Sequence, residues 1–244
     1  METFIKNTVD ECVRVKAAKA ALDHIMQNIT PETVLGIGTG STAEVFVKLL
    51  AAYEIDFSHC VSSSERSSRA IQAAGLKEIP LADCLYVDYY VDGIDEGLSN
   101  GITVKGGGAA LGREKVIASM AKCFITISDE GRLVNALGKF PLPIEVLPAA
   151  KMPVTLALLS LGGSPLQREG CITDNGNIIL DVSGLDMSEP RVLELRLNSL
   201  PGVVENGIFS QCKASYMAFA NAQGIRWLSV NTNCDDGVVY NTSL

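Results

Sequence analysis

The chain has 244 residues, of which 47% are hydrophobic and 20% are charged, and its formal net charge is −8. This composition excludes a largely disordered chain, and the acidic balance excludes a general basic surface for nucleic acid and a polybasic membrane segment. We therefore expect a globular protein of one or two domains that has neither a nucleic-acid partner nor a membrane partner.

Apolar segments with strand and helix periodicity alternate through the first half of the chain. In chain order, the patterns predict a helix over about 9–26, a strand at TVLGIG, a helix at STAEVFVKLLAAY, a strand at HCVSSS, a helix at ERSSRAIQAAG, a strand at LYVDYYV, a helix at AALGREKVIASMA and a strand at CFITIS. Ser41 or Thr42 is the expected N-cap of the second helix, and Gly75 is expected to end the third. The alternation predicts an α/β fold built on a doubly wound, mostly parallel sheet.

The pattern changes at GKFPLPIEVLP, where three prolines indicate a boundary. Beyond it we expect a helix over about 154–161, a strand at GNIILDV after the turn TDNG, a helix over about 191–200, and then the segment GVVENGIF. This order is typical of a smaller α+β module inserted into a main domain. We predict a catalytic α/β domain of residues 1–141 and 208–244, and a small α+β domain of residues 142–207.

The cysteines and the N-terminal segment bear on the cellular compartment. The seven cysteines include no Cys-x-x-Cys pair, which argues against a zinc site and against a dense disulfide framework. The segment METFIKNTVDEC has neither a basic region nor an apolar run, so it lacks the pattern of a signal peptide. We expect reduced cysteines and a cytoplasmic protein.

A glycine-rich turn, GIGTGST, lies between the first predicted strand and the second helix. Such a turn is either structural or a ligand site, because it lets backbone N–H groups face an anion at the positive end of a helix. It is not a Walker A loop, and Ser41 stands where the dinucleotide fingerprint requires its third glycine. The hydroxyl groups suit phosphate or sugar oxygens, which favours a ligand site at Gly38, Thr39, Gly40, Ser41 and Thr42.

Two further segments place carboxylates, a lysine and glycines close together. VDGIDE follows the apolar strand LYVDYYV, at the end of the strand where α/β sheets bind ligands, although an Asp-Gly turn is also common on a solvated surface. In VKGGGAALGREK, three glycines before a helix can present N–H groups to developing negative charge, and Lys105 adds a cation. A helix that begins near Ala109 would carry Glu114 about 7.5 Å along its axis, within reach of a ligand over the glycines.

The chain offers few other groups for acid–base chemistry. The histidines His24 and His59 have no apparent partners, and no Ser-His-Asp or Cys-His arrangement can be proposed. The acidic cluster in VDGIDE is a weak candidate for a divalent cation because the segment offers no histidine. A carboxylate base, a lysine and a glycine loop for an oxyanion suit proton abstraction next to a carbonyl group.

The segments GIGTGSTA, VDGIDE, KGGGAALGREK, LGKFPLPIEVLP and TDNGNIILDV occur in one order and cover most of residues 10–209. With these segments, the chain resembles the type A ribose-5-phosphate isomerase family. The resemblance implies that D-ribose 5-phosphate and D-ribulose 5-phosphate are interconverted by proton transfer through a cis-enediolate, in the non-oxidative pentose phosphate pathway. It also implies that neither a metal nor a cofactor takes part.

The resemblance further implies roles for individual residues. Glu114 matches the catalytic base, and Lys105 with the N–H groups of Gly106, Gly107 and Gly108 matches the group that stabilises the enediolate oxygen. Asp92 and Asp95 match the acids that assist ring opening and hold the sugar hydroxyls. The implied substrate-binding residues are Gly38, Thr39, Gly40, Ser41, Thr42, Asp92, Gly93, Asp95, Lys105, Gly106, Gly107, Gly108 and Arg132.

The chain departs from the family pattern at three places, the last of which is the segment after Phe209. Arg132 stands where the family commonly has lysine, and arginine keeps the charge but not the geometry of contact. Arg14, Val15 and Lys16 stand where relatives carry a lysine pair, so no phosphate contact is assigned there. The role of the segment after Phe209 is open.

Two other functions stay open at this point: a non-catalytic sugar-phosphate-sensing domain, and a CoA-dependent transferase on a related fold. A sensor would bind ribose 5-phosphate without exchanging its C2 proton with solvent, and a transferase would bind CoA. An inserted α+β module often provides a subunit contact, so we expect a homodimer or a homotetramer.

Overall fold

The structure is a computed structural model that describes residues 2–230, with side chains described from residue 12 onwards. The elements before the proline-rich segment are α1 (Glu2–Ile25), β1 (Val34–Ile37), α2 (Ser41–Ala52), β2 (His59–Ser62), α3 (Glu65–Ala73), β3 (Val87–Asp92), β4 (Glu96–Gly97), β5 (Thr103–Val104), α4 (Leu111–Met120) and β6 (Ala121–Asp129). The later elements are β7 (Leu142–Val146), α5 (Lys151–Ser160), β8 (Ser164–Gln167), β9 (Ile178–Ser183), α6 (Pro190–Asn198), β10 (Val203–Asn206), β11 (Ile208–Phe209), β12 (Tyr216–Ala220) and β13 (Ile225–Ser229). Within residues 2–230, no helix is long and apolar enough to cross a membrane.

Six strands form the main sheet, in the order β13-β12-β6-β3-β1-β2. Neighbouring strands are parallel throughout, except that β13 pairs antiparallel with β12 at one edge. Helices cover both faces, because α1 and α2 pack on one side through Leu22 and Phe46, and α4 packs on the other through Ile117. The predicted doubly wound, mostly parallel sheet is confirmed.

A second sheet is antiparallel and has the order β10-β7-β9-β8. Helices α5 and α6 pack on it through Leu158 and Leu197, which belong to a separate apolar core. This is the α+β part expected after the proline-rich segment, and the chain then returns to the main sheet with β12 and β13. The domain boundaries at 141/142 and 207/208 stay a prediction, and residues 231–244 lie outside the described residues.

The proline-rich segment is more than a boundary, because it contains strand β7. Pro143 lies inside this strand, opposite Asp181 of β9. Its carbonyl accepts a hydrogen bond from the N–H of Gly207 at 2.8 Å, at the bend between β10 and β11. The missing N–H of the proline therefore faces the end of a neighbouring strand, where the ladder loses little. For this reason a strand can run through the proline-rich segment, which the sequence analysis treated only as a boundary.

A third, three-stranded sheet has the order β11-β5-β4 and positions the lysine of the glycine-rich segment. Lys105 follows β5 directly, and its N–H donates to the carbonyl of Gly207 at 2.9 Å. Because both residues directly adjoin the paired strands β5 and β11, the backbone of Lys105 is fixed before the flexible glycines begin.

Helix α4 is anchored to α6 and β10 by Lys115. Its Nζ lies 2.9 Å from Glu194 Oε1 and 2.8 Å from Glu205 Oε1. It also donates to the carbonyls of Asn206 and Ile208, each at 2.7 Å. These contacts fix the helical turn next to Glu114.

Candidate active site

A cleft of about 850 Å³ opens where β1, β3 and β6 end. Ligands of doubly wound sheets bind at this edge. The predicted site residues on its surface are Thr39, Gly40, Ser41, Thr42, Gly93, Asp95, Lys105, Gly106, Gly107, Gly108, Glu114 and Arg132. The other two, Gly38 and Asp92, lie beneath this surface and are buried.

Three charged side chains, Asp92, Lys105 and Glu114, meet beneath the cleft and are almost completely buried. Nζ of Lys105 lies 2.7 Å from Oδ2 of Asp92 and 3.2 Å from Oε2 of Glu114. It also donates to the carbonyl of Gly93 at 2.6 Å. The contact with Glu114 is an ion pair without an aligned hydrogen bond, and Oε2 of Glu114 has no hydrogen-bond partner among the described residues. This oxygen is therefore available to accept a proton.

The proton affinities of the two central groups are shifted by their surroundings. The pKa of Glu114 is raised to about 8, chiefly by burial and next by the charge of Asp92, while the charge of Lys105 opposes the shift. Burial lowers the pKa of Lys105, but the carboxylates of Asp92 and Glu114 outweigh burial and raise that pKa above its usual value. Near neutral pH the cleft thus holds a fixed cation beside a carboxyl group that exchanges its proton readily.

Asp92 fixes the position of Lys105 from below. Its Oδ1 accepts hydrogen bonds from the N–H groups of Thr39 and Gly93, at 3.1 and 2.6 Å. Its Oδ2 accepts a hydrogen bond from the hydroxyl of Tyr90 as well as contacting Lys105. With both oxygens engaged, the carboxylate holds the ammonium group at the cleft and does not itself line the cleft surface.

We expect Gly38→Ala to destabilise the protein because the new methyl group would lie 1.9 Å from Cγ of Asp92. The carboxylate would have to move, at an overpacking cost of about 1–3 kcal/mol in the free energy of unfolding. Gly108→Ala is the matched control, since its methyl group would meet only a side-chain methyl of Thr39, at 3.1 Å. Urea unfolding of both variants measures the difference, and equal stabilities would contradict the close approach of Gly38 to Asp92.

The loop that contains Thr39 is held by serines that the sequence analysis did not identify. The hydroxyl of Thr39 lies 2.8 Å from Oγ of both Ser63 and Ser64. Ser67 donates to the carbonyl of Gly38 at 2.6 Å. These serines follow β2 or begin α3, so the strand-end rule applied to β2 would have found the first two. The hydroxyl of Thr39 therefore helps to hold the loop in place, in addition to lining the cleft where a ligand can bind.

The predicted N-cap of α2 is wrong. The cap is Gly40, with φ of 124°, and it makes no side-chain hydrogen bond to the helix. Glycine adopts this backbone conformation readily, so the helix begins directly at Ser41. Without a side-chain cap, the first N–H groups of α2 stay available for an anion, and Ser41 and Thr42 line the cleft beside them.

The glycine loop carries Asp95 on its cleft side. Gly106 has φ of 105°, and the N–H of Gly107 donates to Oδ2 of Asp95 at 2.8 Å. A Cβ at position 107 would lie 2.7 Å from Oδ1 of the same carboxylate, so the approach requires glycine. Burial raises the pKa of Asp95, while the N–H of Gly107 and the charge of Lys105 oppose the shift.

Helix α4 begins two residues later than predicted. Ala109 has φ of 59° and donates its N–H to the carbonyl of Gly106 at 3.0 Å, which closes a turn before the helix. The helix then begins at Leu111, and Glu114 lies in its first turn. The ionised form of Glu114 gains from the positive end of this helix, which partly offsets the cost of burial.

Arginines from three elements surround the cleft. Arg132 was predicted, and its Nη1 donates to the carbonyl of Asp95 at 3.1 Å. Arg14 of α1 and Arg66 of α3 also line the cleft but were not assigned from the sequence. Arg66 is paired with Glu44, at 2.5 Å. These charges make one side of the cleft suitable for an anionic group.

The remaining lining residues were missed by the sequence analysis. The polar ones are Ser128, Asp129, Glu130 and Asn221. The first three end β6 or follow it, so the rule that sites lie at strand ends could have identified them. Asn221 follows β12, a strand that was not predicted. Among the residues that the structure describes, no group of three or more His, Cys, Asp or Glu side chains is arranged to hold a metal ion.

This arrangement can perform proton transfer next to a carbonyl group. Glu114 supplies a base, while Lys105 and the glycine loop that lines the cleft can stabilise the negative oxygen that forms when the proton leaves. The uncapped helix and the arginines supply an anion site in the same cleft.

Comparison with known proteins places relatives over most of the chain. Residues 59–224 match the family model described as ribose 5-phosphate isomerase A (phosphoriboisomerase A). A curated ribose-5-phosphate isomerase A from Bordetella avium is 48% identical over 217 residues, which are 89% of this chain and 97% of the relative.

Solved structures show the same relationship. Ribose 5-phosphate isomerase A from Neisseria gonorrhoeae superposes with a TM-score of 0.85 and 34% identity, covering 91% of this chain and 97% of the other. A D-ribose-5-phosphate isomerase in complex with phospho-erythronic acid has a TM-score of 0.84 and 34% identity, covering 90% and 98%. The similarity thus covers about nine-tenths of this chain.

Proposed function

The chain belongs to the ribose 5-phosphate isomerase A family and is an aldose–ketose isomerase, and we propose that its cleft interconverts D-ribose 5-phosphate and D-ribulose 5-phosphate. The observation that carries the proposal is the contact of Lys105 Nζ with Glu114 Oε2 at 3.2 Å in the wall of the cleft. The reaction belongs to the non-oxidative pentose phosphate pathway.

In this proposal, Glu114 removes the proton from C2 of the open-chain aldose and returns it to C1. The electron pair left by the C2–H bond forms the C1=C2 double bond of a cis-enediolate, and negative charge collects on O1. Lys105 and the N–H of Gly108 stabilise that charge. A proton then passes from O2 to O1, and the negative oxygen O2 forms the C2 carbonyl of the ketose as the electron pair of the C1=C2 bond takes the proton from Glu114 at C1. One carboxylate suffices because its pKa of about 8 suits both halves of the proton transfer.

The two aspartates have different proposed roles. Asp95 lines the cleft, and its raised pKa suits proton exchange with the ring oxygen and hydroxyls during ring opening. Asp92 is fully buried, and we assign it to positioning Lys105. Its predicted contact with the substrate would have to pass through that lysine.

The phosphate group is proposed to bind at the N-terminus of α2. Ser41 and Thr42 line the cleft at this helix end, Gly40 leaves the helix N–H groups without a side-chain cap, and Arg14 lines the same cleft. A related enzyme was solved in complex with phospho-erythronic acid, a ligand that has both a carboxylate and a phosphate. This supports a phosphate site in the cleft of this family member. Arg132 is proposed to hold sugar oxygens near Asp95.

A coupled assay of ribulose 5-phosphate formation with EDTA present tests substrate, reaction and metal independence together. We expect full activity in EDTA and exchange of the C2 proton of ribose 5-phosphate with solvent. Binding without exchange would favour the sugar-phosphate sensor, and saturable binding of CoA would favour the transferase. Either result without isomerisation would overturn the proposal.

The pH dependence of kcat/KM follows from the raised pKa of Glu114. The base is active when it is ionised, so activity falls as the pH drops through the pKa of about 8. We expect kcat/KM to rise about tenfold per pH unit below that value and to level off above it. Steady-state kinetics with pH-matched coupling enzymes measure this, and a lower limb centred at the usual pKa of a glutamate would contradict the assignment.

A homodimer or homotetramer, and a cytoplasmic location, are also proposed. Met152, Leu156 and Leu159 of α5 lie along one helix face and are 59%, 58% and 52% exposed. Leu166 of the edge strand β8 is 74% exposed, and such apolar surface is typical of a subunit contact. Light scattering that shows only monomer at micromolar concentration would contradict the proposed dimer or tetramer. The cysteines that the structure describes are all free, which supports a reducing compartment.

A further inference from the structure

Arg168 contacts the glycine loop from the side opposite the cleft. It follows β8 in the small sheet, and its guanidinium is held by Asp181 of β9, with Nη2–Oδ1 and Nε–Oδ2 distances of 2.5 and 2.8 Å. The same group donates from Nη1 to the carbonyl of Gly106 at 3.1 Å and to that of Gly107 at 3.0 Å. One arginine therefore binds two successive carbonyls of the loop that must present N–H groups.

The geometry of the peptide unit explains how a contact on one side of the glycine loop fixes the N–H groups on the cleft side. No peptide bond among the described residues is cis, so in each planar unit the C=O and N–H groups point in opposite directions. In the first unit, Gly106 O faces Arg168, and the N–H of Gly107 donates to Asp95 at 2.8 Å, on the cleft side. In the second unit, Gly107 O faces Arg168, so the N–H of Gly108 points towards the cleft as well. Gly108 lines the cleft, and its N–H donates no backbone hydrogen bond to another described residue.

A run of three glycines has little preference for any one backbone conformation, so the loop needs external restraint to hold its donors. Its ends are fixed by Lys105 N to Gly207 O at 2.9 Å and by Ala109 N to Gly106 O at 3.0 Å. Neither of these contacts orients the peptide between Gly107 and Gly108. Arg168 does so, and its positive charge also polarises that peptide in the sense that strengthens the N–H as a donor.

We propose that Arg168 is a positioning residue for the isomerisation: by holding the carbonyls of Gly106 and Gly107, it aims the N–H of Gly108 at the enediolate oxygen and that of Gly107 at Asp95. The inference rests on the proposed function and deepens it. The role requires a planar group with several donors, because Asp181 and two carbonyls are bound at once. A lysine, with a point charge on a flexible stem, cannot reproduce it.

The test compares Arg168→Ala and Arg168→Lys with Arg113→Ala. Arg113 is a matched control because it also joins the main fold to the small sheet, through Asn175 Oδ1 at 2.9 Å and Asp174 O at 2.8 Å, without contacting the glycine loop. We expect both Arg168 variants to lose about 10- to 100-fold in kcat, with KM changed less than about threefold, since the N–H acts mainly on the transition state. Arg113→Ala should keep kcat within about threefold of the unmodified chain.

Two further readouts separate positioning from a loss of stability. Millimolar guanidinium, well below denaturing concentration, should restore part of kcat in Arg168→Ala and none in Arg113→Ala. Inhibition by phospho-erythronic acid, whose carboxylate resembles the two enediolate oxygens, should weaken by about the same factor as kcat/KM, while inhibition by inorganic phosphate should not change. If Arg168→Ala does not fold, Arg168→Lys and Asp181→Asn are compared with Arg113→Ala in the same assays of kcat and inhibition.

Normal kcat in a folded Arg168→Ala or Arg168→Lys variant would overturn the inference. A loss without guanidinium rescue, or with equal weakening of phosphate inhibition, would also overturn it, because it would indicate a general structural effect. These results are distinct from failure of the proposed function, which would appear as absence of isomerisation in the unmodified chain.

Discussion

Replacing Glu114 with glutamine is expected to lower kcat by at least about a hundredfold while the protein stays folded, because general acid–base catalysis contributes about 10²–10⁴-fold. Glutamine has nearly the shape of glutamate but cannot accept the substrate proton at the oxygen that faces Lys105. Exchange of the C2 proton with deuterated solvent should fall by the same factor as kcat. Near-normal turnover would show that another group is the base.

The stability of the same variant has a predicted pH dependence. The pKa of Glu114 is raised by burial, so the folded state binds its proton more tightly than the unfolded state does. Ionisation of Glu114 therefore costs stability, and the cost grows as pH rises from its unfolded value towards about 8. Glu114→Gln should unfold at a higher urea concentration than the original chain at alkaline pH, with the advantage vanishing in acid. The exposed Glu32, changed to glutamine, is the control that should show neither effect.

The main features of this site could be predicted because they depend on local chain properties. Three glycines before a helix, and an acidic turn after a buried strand, have direct consequences for backbone shape and for position at the sheet edge. Lys105, Glu114 and Asp95 accordingly lie on one cleft. The family resemblance then assigned their chemistry.

The features that were missed depend on contacts between distant segments. Arg168 approaches the glycine loop only because β8 and β9 pair in a register that places it beside Asp181. No spacing in the sequence encodes that register. The strand through Pro143 was hidden for a similar reason, since its cost depends on which neighbour faces the missing N–H. The left-handed conformation of Ala109 shifted the start of α4, and alanine gives no sequence signal for it.

Asp92 shows how a predicted site residue can lie next to the cleft without lining its surface. It was predicted to touch the sugar, and the structure places it under the cleft with its oxygens on backbone N–H groups, Tyr90 and Lys105. The sequence placed it near the site because it ends β3, but the direction of its side chain depends on the close approach of Gly38. The position of a residue in the sequence therefore predicts that it lies near the cleft better than it predicts which atoms its side chain contacts.

Lys105→Met is expected to lower kcat by at least about a hundredfold and also to destabilise the fold by roughly 3–5 kcal/mol. Methionine keeps most of the side-chain volume but removes the only cation in contact with both Asp92 and Glu114 among the described residues. The two carboxylates would then face each other in a buried site. Because Lys105 holds the pKa of Glu114 down, its loss raises that pKa further and keeps the base protonated.

The double variant Lys105→Met/Glu114→Gln separates these two effects. Both single changes remove the ionised base, so the double variant should be no slower than the slower single one, and the losses in log kcat should not add. Its free energy of unfolding should exceed that of Lys105→Met, because one of the two buried carboxylates is gone. Additive losses in log kcat, together with additive changes in the free energy of unfolding, would mean that Lys105 and Glu114 act independently. The 3.2 Å contact between them would then have no catalytic significance.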